Sequence, residues 1–195
     1  ANDAPLVAKA VVSADRPIRD VPRLWLGHNM EWVWGGQGLF RKDGSGPVEG
    51  LAPLIAALKP GLVRYPGGSL ANTFRFADSL GPLAQRKPVA NFFTLRGDWR
   101  KKASYDAETP LLGFDDFMSF LGSAEAKGAI VIVNCMQWPG NPELSGSAQE
   151  AAAWVAYANA RIGDAPVAIG VDSRGTDWKD SQFWAALRAR DGRAD

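Results

Sequence analysis

Apolar residues occur along this chain in short runs separated by polar stretches, and three of these runs predict β-strands. They are Leu24–Gly27, Leu62–Tyr65 and Ala129–Val133. The last run contains only apolar side chains, which is typical of a strand buried on both faces of a parallel sheet. Polar residues follow each run, so each predicted strand ends beside side chains that can carry chemistry.

A helical period predicts helices between and after the strands. The first is stopped by Lys59-Pro60-Gly61, because proline and glycine do not continue a helix. Ser147 and Glu150 have the spacing of a capping box, which predicts that a helix begins there. The predicted helices are Leu51–Leu58, Phe114–Ala124, Ser147–Asn159 and Ser181–Arg190.

Strands that alternate with helices predict a parallel sheet covered by helices, the α/β class. Three such units in 195 residues fall short of a closed barrel of eight strands, which takes about 250 residues. We therefore expect an incomplete structure. Residues 22–195 are assigned to it, and residues 1–21 to an amino-terminal extension in which Leu6–Val12 is a candidate edge strand.

Two long segments lie outside the predicted elements. Gly35–Gly50 is rich in glycine and predicts a loop. About 45 residues separate the strand Leu62–Tyr65 from the next clear helix, and connections of that length are usually functional or disordered. Aromatic residues are frequent in this connection, so we expect it to be packed.

Composition and charge exclude several classes of function. A net charge of +1 gives no long-range attraction for nucleic acid or an anionic membrane, and no apolar run is long enough for a membrane-spanning helix. A single cysteine, Cys135, and a single histidine, His28, exclude a disulfide framework and a histidine-rich metal site. Cys135 follows an apolar strand, so we expect it to be inert. The chain begins with Ala1 rather than Met, which favours a removed signal peptide and a secreted or periplasmic protein.

Polar residues at the predicted strand ends are candidate binding residues. Glu31, Arg64 and Asn134 occupy the ends of the three strands, and Ser69 or Asn72 comes just after a proline–glycine turn. Because the carboxyl ends of parallel strands converge, we expect these groups to bind the hydroxyls of a neutral polyol. Two structural alternatives stay open: Arg64 could pair with a carboxylate at the rim, and Asn134 could satisfy its own loop as an Asx turn.

Tryptophan is unusually frequent, with 8 residues that supply flat apolar surface. Trp32 and Trp34 come directly after Glu31. Core packing and stacking on the apolar face of a sugar ring suit these two residues equally, and the pattern leaves both open.

Five motifs occur in a familiar order. They are Arg64-Tyr65-Pro66-Gly67-Gly68, Leu80-Gly81-Pro82-Leu83-Ala84-Gln85-Arg86, Gly113-Phe114-Asp115-Asp116-Phe117, Val133-Asn134 and Ala153-Trp154-Val155-Ala156-Tyr157-Ala158-Asn159. With them, the chain from residue 22 to 195 resembles the amino-terminal half of the α-L-arabinofuranosidases of glycoside hydrolase family 51 and their relatives. The resemblance implies the amino-terminal part of a TIM (β/α)8 barrel, about three βα units, completed by sequence not on this chain. It also implies hydrolysis of furanosides with retention by two glutamates, both outside this chain, with no cofactor and no metal.

The resemblance gives roles to the strand-end residues. Glu31 matches a glutamate that hydrogen-bonds the sugar, and Arg64 matches an arginine close to the nucleophile, where its charge would keep that glutamate ionised. Asn134 matches an asparagine that lines the pocket. The family commonly has asparagine where this chain has Ser69, with Asn72 three positions later. A shorter serine leaves room for a larger sugar, so a galactofuranoside is an alternative to an arabinofuranoside.

The preferred hypothesis is therefore part of a retaining exo-glycosidase that acts on furanosides in oligo- or polysaccharides, with a second polypeptide that completes the barrel. One alternative is a non-catalytic carbohydrate-binding module that keeps the sugar pocket. Another makes the chain self-sufficient, with Glu31 and Asp78 as the carboxylate pair.

Overall fold

The computed structural model describes residues 8–98 and 100–192, in which short strands alternate with helices. The strands are β1 (His28–Asn29), β2 (Leu62–Tyr65), β3 (Val89–Ala90), β4 (Ala107–Glu108) and β5 (Gly128–Val131). The helices are α1 (Leu51–Leu58), α2 (Phe114–Ser123), α3 (Ala148–Asn159) and α4 (Ser181–Arg190). The segment Trp34–Gly38 forms a short helical turn with left-handed backbone angles. Turns of 3₁₀ helix lie at Arg23–Trp25, Ser69–Asn72, Phe76–Ser79, Leu83–Gln85, Phe92–Thr94 and Pro142–Leu144.

The strands β1, β2 and β5 form a parallel sheet in the order β1-β2-β5. Asn29 lies opposite Arg64, and Arg64 lies opposite Ile130. Helix α1 connects β1 to β2, helix α2 connects β2 to β5, and α3 follows β5. The predicted α/β class with parallel strands is confirmed. The antiparallel pair β3–β4 lies apart from this sheet, within the connection between β2 and α2.

Alternate residues of β2 face opposite sides of the sheet, and one side is the core. Val63 and Tyr65 are 4% and 0% exposed. The Tyr65 ring stacks on Phe117 of α2 with centroids 4.5 Å apart, and its hydroxyl donates to the carbonyl of Leu112 at 2.9 Å. Because a buried hydroxyl needs an acceptor, this residue fixes both the depth and the orientation of α2 on the sheet.

Aromatic side chains from distant segments form the rest of this core. Phe76, in the connection after β2, stacks on Trp154 of α3 with centroids 5.1 Å apart and planes at 7°. Its ring also lies 5.3 Å from Trp184 of α4 and 6.3 Å from Trp178. The prediction that the long connection is packed is therefore confirmed: it contributes a fully buried ring to the centre of the core.

The opposite face of the sheet is largely open within the described residues. Arg64 and Ile130 lie on this face, and Ile130 is 44% exposed. The prediction that Ala129–Val133 is buried on both faces is wrong for the described structure. An apolar strand sequence is typical of a sheet that is covered on both faces. Among the described residues, helices cover one face only.

The first predicted strand is also displaced. Arg23–Trp25 is a 3₁₀ turn, and Leu24, Trp25 and Leu26 are largely exposed. Pairing with β2 begins only at His28, which lies opposite Val63. A strand exists where a neighbour completes its hydrogen bonds, and the apolar pattern of Leu24–Gly27 carries no information about where that neighbour starts.

Two further segments differ in part from expectation. Ala8–Val12 is exposed and is not a strand; Leu6 and Val7 of the candidate edge strand lie outside the described residues. The segment Gly35–Gly50 is irregular after its first turn, and Phe40 and Pro47 form an isolated bridge across it. The helices Leu51–Leu58 and Ser181–Arg190 have the predicted bounds.

Truncation of Phe76 tests the aromatic core. We expect Phe76→Ala to lower the free energy of unfolding by about 3–5 kcal/mol, because a fully buried ring leaves a cavity between α3 and α4. Urea denaturation of the intact protein measures this change. Phe183→Ala, which truncates a ring that is 45% exposed on α4, is the control and should cost less than about 1 kcal/mol. Equal losses in both variants would contradict a core centred on Phe76.

Candidate functional site

The ends of β1 and β2 bring Glu31 and Arg64 together through Asn29. Arg64 Nε donates to Asn29 Oδ1 at 2.8 Å, and Asn29 Nδ2 donates to Glu31 Oε1 at 3.1 Å. The parallel register places Asn29 directly opposite Arg64, so the sheet itself sets this geometry. The carboxylate and the guanidinium are thereby held on one edge of the sheet by an amide between them. We call these three residues the strand-end cluster.

Two glycines after β2 allow the backbone to lie against this cluster. Gly67 has φ 130°, and a Cβ there would come within 3.1 Å of Glu31 Cγ. A Cβ on Gly68 would come within 3.2 Å of Arg64 Nη2. The motif Pro66-Gly67-Gly68 therefore has a packing reason as well as a turn-forming one, since side chains here would push the charged groups apart.

The left-handed turn Trp34–Gly38 supplies a further contact to Glu31. Gln37 has φ 61° and donates from Nε2 to Glu31 Oε2 at 3.2 Å. The two tryptophans of this region separate: Trp32 is 1% exposed and lies in the core, whereas Trp34 is 59% exposed. Core packing thus describes Trp32, and a role at the surface remains for Trp34.

Asn134 is occupied by its own loop. Its Oδ1 accepts from Met136 N–H at 3.1 Å, and its Nδ2 donates to the carbonyl of Leu144 at 2.9 Å. The first contact is the Asx turn that the sequence left open as an alternative. The side chain is buried and ties the segment after β5 to the turn before α3.

The remaining predicted site residues lie on the connection after β2. Ser69 is exposed at the start of a 3₁₀ turn, and Asn72 is half-buried at its end. The carbonyl of Asn72 accepts from Trp138 Nε1 at 2.9 Å. Asp78, the partner proposed for Glu31 in the self-sufficient alternative, lies 3.6 Å from Lys87 Nζ. Asp78 thus contacts Lys87, whereas Glu31 contacts Asn29 and Gln37.

Sequence reasoning missed Asn29 and Gln37. A signal existed for Asn29, because it lies in the same polar stretch as Glu31, after the predicted strand Leu24–Gly27. Gln37 has no comparable signal: its approach to Glu31 depends on left-handed backbone angles that only the adjacent glycines hint at.

A concave surface opens beside the strand-end cluster, on the uncovered face of the sheet. It has a volume of about 370 Å³. Its lining combines Asn29 and Arg64 with the apolar side chains of Leu24, Leu62 and Ile130. Polar groups at one rim and apolar groups below are suited to a ligand that has hydroxyls on one side.

A second charged cluster fastens three segments together near the start of α3. Glu150 lies 2.9 Å from Arg75 and 3.8 Å from Arg174, and Arg174 lies 2.6 Å from Asp172. Both arginines also donate to the carbonyl of Ser145, at 2.8 and 2.9 Å. Ser147 Oγ accepts from Glu150 N–H, as a capping box requires, while the Glu150 carboxylate is turned toward the arginines.

The two carboxylates of this second cluster have opposite pKa shifts. Burial raises the pKa of Glu150 to about 7, against the attraction of Arg75 and Arg174. Neither of its oxygens accepts a hydrogen bond of good geometry from the described residues. For Asp172, burial opposes ionisation, but hydrogen bonds from Trp178 Nε1 and Arg174 hold the pKa well below its usual range.

Other classes of site have little support in the described part of the chain. Within residues 8–98 and 100–192, no three residues of the types His, Cys, Asp and Glu are grouped as metal ligands. In the same ranges, no helix has the length and apolarity needed to cross a membrane. Cys135 is a free and exposed thiol.

Comparison with known proteins gives one family and several similar structures. The family described as "Alpha-L-arabinofuranosidase 1 domain" matches residues 54–195. An extracellular exo-α-L-arabinofuranosidase from Streptomyces chartreusis is 32% identical over 98 residues, which cover 42% of this chain and 10% of that protein.

Solved structures show the same fold over nearly the whole chain. A family 51 α-L-arabinofuranosidase from Bifidobacterium longum is 23% identical, with a TM-score of 0.61, and covers 94% of this chain and 31% of that one. An α-L-arabinofuranosidase from Thermotoga maritima, solved with arabinose, is 21% identical, with a TM-score of 0.57, and covers 86% of this chain and 28% of that one. The chain thus spans a tenth to a third of the length of these relatives.

The raised pKa of Glu150 predicts a pH-dependent stability. Between its ordinary value of 4.5 and about 7, the folded protein holds a proton that the unfolded chain has released. The contribution of Glu150 is therefore fully present below pH 4.5 and is lost as the pH rises toward 7. Urea denaturation across this range should show a slope that Glu150→Gln removes. An unchanged slope in that variant would contradict the assignment, and Glu49→Gln, at an exposed position, is the control.

Proposed function

The chain belongs to the family of the α-L-arabinofuranosidase 1 domain, and from this we propose that it forms the first part of a β/α barrel in a retaining exo-glycosidase. The enzyme would remove furanosyl residues, arabinofuranosyl in the first place, from oligo- or polysaccharides. The observation that carries the proposal is the strand-end cluster, in which Asn29 holds Glu31 and Arg64 at the ends of two parallel strands. Active sites of β/α barrels are built at that end of the strands.

The strand-end cluster would bind the sugar and support the reaction without carrying it out. The Glu31 carboxylate, already oriented by Asn29 and Gln37, is an acceptor for a sugar hydroxyl. The Arg64 guanidinium would lie near the catalytic nucleophile and favour its ionised form. Retention needs two carboxyl groups about 5 Å apart, one as nucleophile and one as acid and base. We place both on polypeptide outside this sequence.

The proposed sugar site also includes Ser69, Asn72 and Asn134, which differ in how directly they could contact a ligand. Ser69 is exposed beside the turn that packs on the strand-end cluster, so it is available to a ligand. Asn72 would contribute from the end of the same 3₁₀ turn, and the amide of Asn134 would act by shaping the loop after β5. The short side chain of Ser69 keeps a galactofuranoside as the alternative sugar.

The open edge of β5 supports a barrel that further polypeptide completes. A cavity of about 150 Å³ lies beside this edge, between β5 and α3, and Val131, Val133 and Trp154 contribute to its walls. The indole N–H of Trp154 is buried there without an acceptor among the described residues. A further parallel strand would pair with β5, and the remainder of the barrel would fill this cavity and enclose the apolar face at Ile130. That polypeptide is either a continuation of this chain or a second chain.

Secretion is part of the same proposal. The relative from Streptomyces chartreusis is extracellular, and polysaccharides that carry furanosides are substrates outside the cell. Neither a metal nor a cofactor enters the reaction, because two carboxylates are sufficient for it.

Substitution of Glu31 tests the sugar-binding role. In the intact enzyme, Glu31→Gln should lower kcat/KM for an aryl α-L-arabinofuranoside by about 10- to 100-fold, because a hydrogen bond to a charged acceptor is lost. The control is Glu49→Gln, which removes an exposed carboxylate from the loop before α1 and should leave kcat/KM unchanged. Wild-type activity in Glu31→Gln would contradict the role. Asp78→Asn should be active, and its inactivation would instead favour Glu31 and Asp78 as the carboxylate pair.

Intact-mass analysis tests the completed barrel. Protein purified in its folded state and then denatured should contain either a single chain much heavier than 21.0 kDa or a second chain beside it. A well-folded monomer of 21.0 kDa would contradict the proposal, because the uncovered apolar face would then be stable in water. Calorimetric binding of a furanoside without turnover by such a monomer would favour the carbohydrate-binding module.

A further inference from the structure

An exposed aromatic pair lies outside the core, on the turn next to the strand-end cluster. Trp34 is 59% exposed and Phe93 is 55% exposed. Their ring centroids are 6.2 Å apart and their planes differ by 12°. The two rings are therefore stacked with a sideways offset, and together they expose a continuous apolar surface. We call these two residues the aromatic platform.

Buried anchors hold each ring of the aromatic platform in place. Trp34 follows the fully buried Val33, and the turn is closed by Phe40 N–H donating to the carbonyl of Gly35 at 2.7 Å. Phe93 lies in a 3₁₀ turn capped by Asn91, a fully buried residue whose Oδ1 accepts from Phe93 N–H at 3.0 Å. Rings presented on fixed backbone lose little freedom when a ligand binds.

The aromatic platform is joined to Glu31 by a single turn of chain. Trp34 has φ 51°, a left-handed angle that is uncommon for a bulky residue. The same turn places Gln37 Nε2 at 3.2 Å from Glu31 Oε2. Backbone strain of this kind is retained where it positions functional groups. Here one strained turn presents an aromatic face to solvent and orients the carboxylate of the proposed sugar site.

We infer that Trp34 and Phe93 form a stacking subsite for the neutral sugar ring that carries the furanosyl group. This inference rests on the proposed function, because it assigns a second sugar position next to the first. One face of a sugar ring exposes C–H groups that pack on aromatic rings, while its hydroxyls stay in water at the rim. Such a surface selects an oligo- or polysaccharide over a simple furanoside through binding of the neighbouring ring.

Two substrates separate the aromatic platform from the sugar pocket. The intact enzyme is assayed with the methyl furanoside of its sugar, which has no second ring, and with an oligosaccharide that carries the same furanosyl group. Trp34→Asn removes the ring but tolerates the left-handed backbone, and Trp34→Phe keeps an aromatic ring. We expect Trp34→Asn to raise KM for the oligosaccharide about five- to tenfold, the scale of one aromatic contact, and to raise KM for the methyl furanoside by a clearly smaller factor.

The controls make each outcome decisive. Trp34→Phe should retain most of the preference for the oligosaccharide, and Phe183→Ala, at an exposed ring on α4, should not change it. Equal losses on both substrates in Trp34→Asn would overturn the subsite in favour of a structural role for the ring. Wild-type kinetics on both substrates would also overturn it. A wild-type enzyme inactive on every furanoside would instead refute the proposed function, and this inference with it.

Discussion

The alternation of side chains along β2 is the constraint on which the rest of the structure depends. Tyr65 faces the helices, where its ring stacks on Phe117 and its hydroxyl is satisfied by the carbonyl of Leu112. Arg64, one residue earlier, must then face the other side, where Asn29 of β1 meets it. A shift of one residue in register would bury the guanidinium and expose the phenol. The core and the strand-end cluster are therefore fixed by the same pairing.

The same constraint explains why the fold has one finished side and one open side. Aromatic rings from the long connection and from α2, α3 and α4 close over the helix-facing side of the sheet. On the other side, apolar residues such as Ile130 lie beside polar ones such as Arg64. In a β/α barrel this side is the interior, where apolar layers lie below a polar rim. Membership of the arabinofuranosidase family and the proposed sugar site agree with that geometry.

At the carboxyl ends of β1 and β2, glycines and residues with left-handed backbone angles let the loop backbone lie close to the strand-end cluster. Side chains at the glycine positions would prevent this. Gly67 and Gly68 let the backbone pass beside Glu31 and Arg64, and the turn at Trp34 brings Gln37 to Glu31. The backbone strain is confined to loops that rest on buried anchors. The stability that the aromatic core provides can thus support a site whose own conformation is locally unfavourable.

The sequence alone determined the class of fold, the bounds of α1 and α4, the packed state of the long connection and the residues at the strand ends, because period, capping and aromatic content are local signals. It did not determine where β1 begins, since a strand starts where its neighbour allows pairing. It also did not reveal that Asn29 and Gln37 hold Glu31. Those contacts depend on register and on backbone angles, and only the tertiary structure decides them.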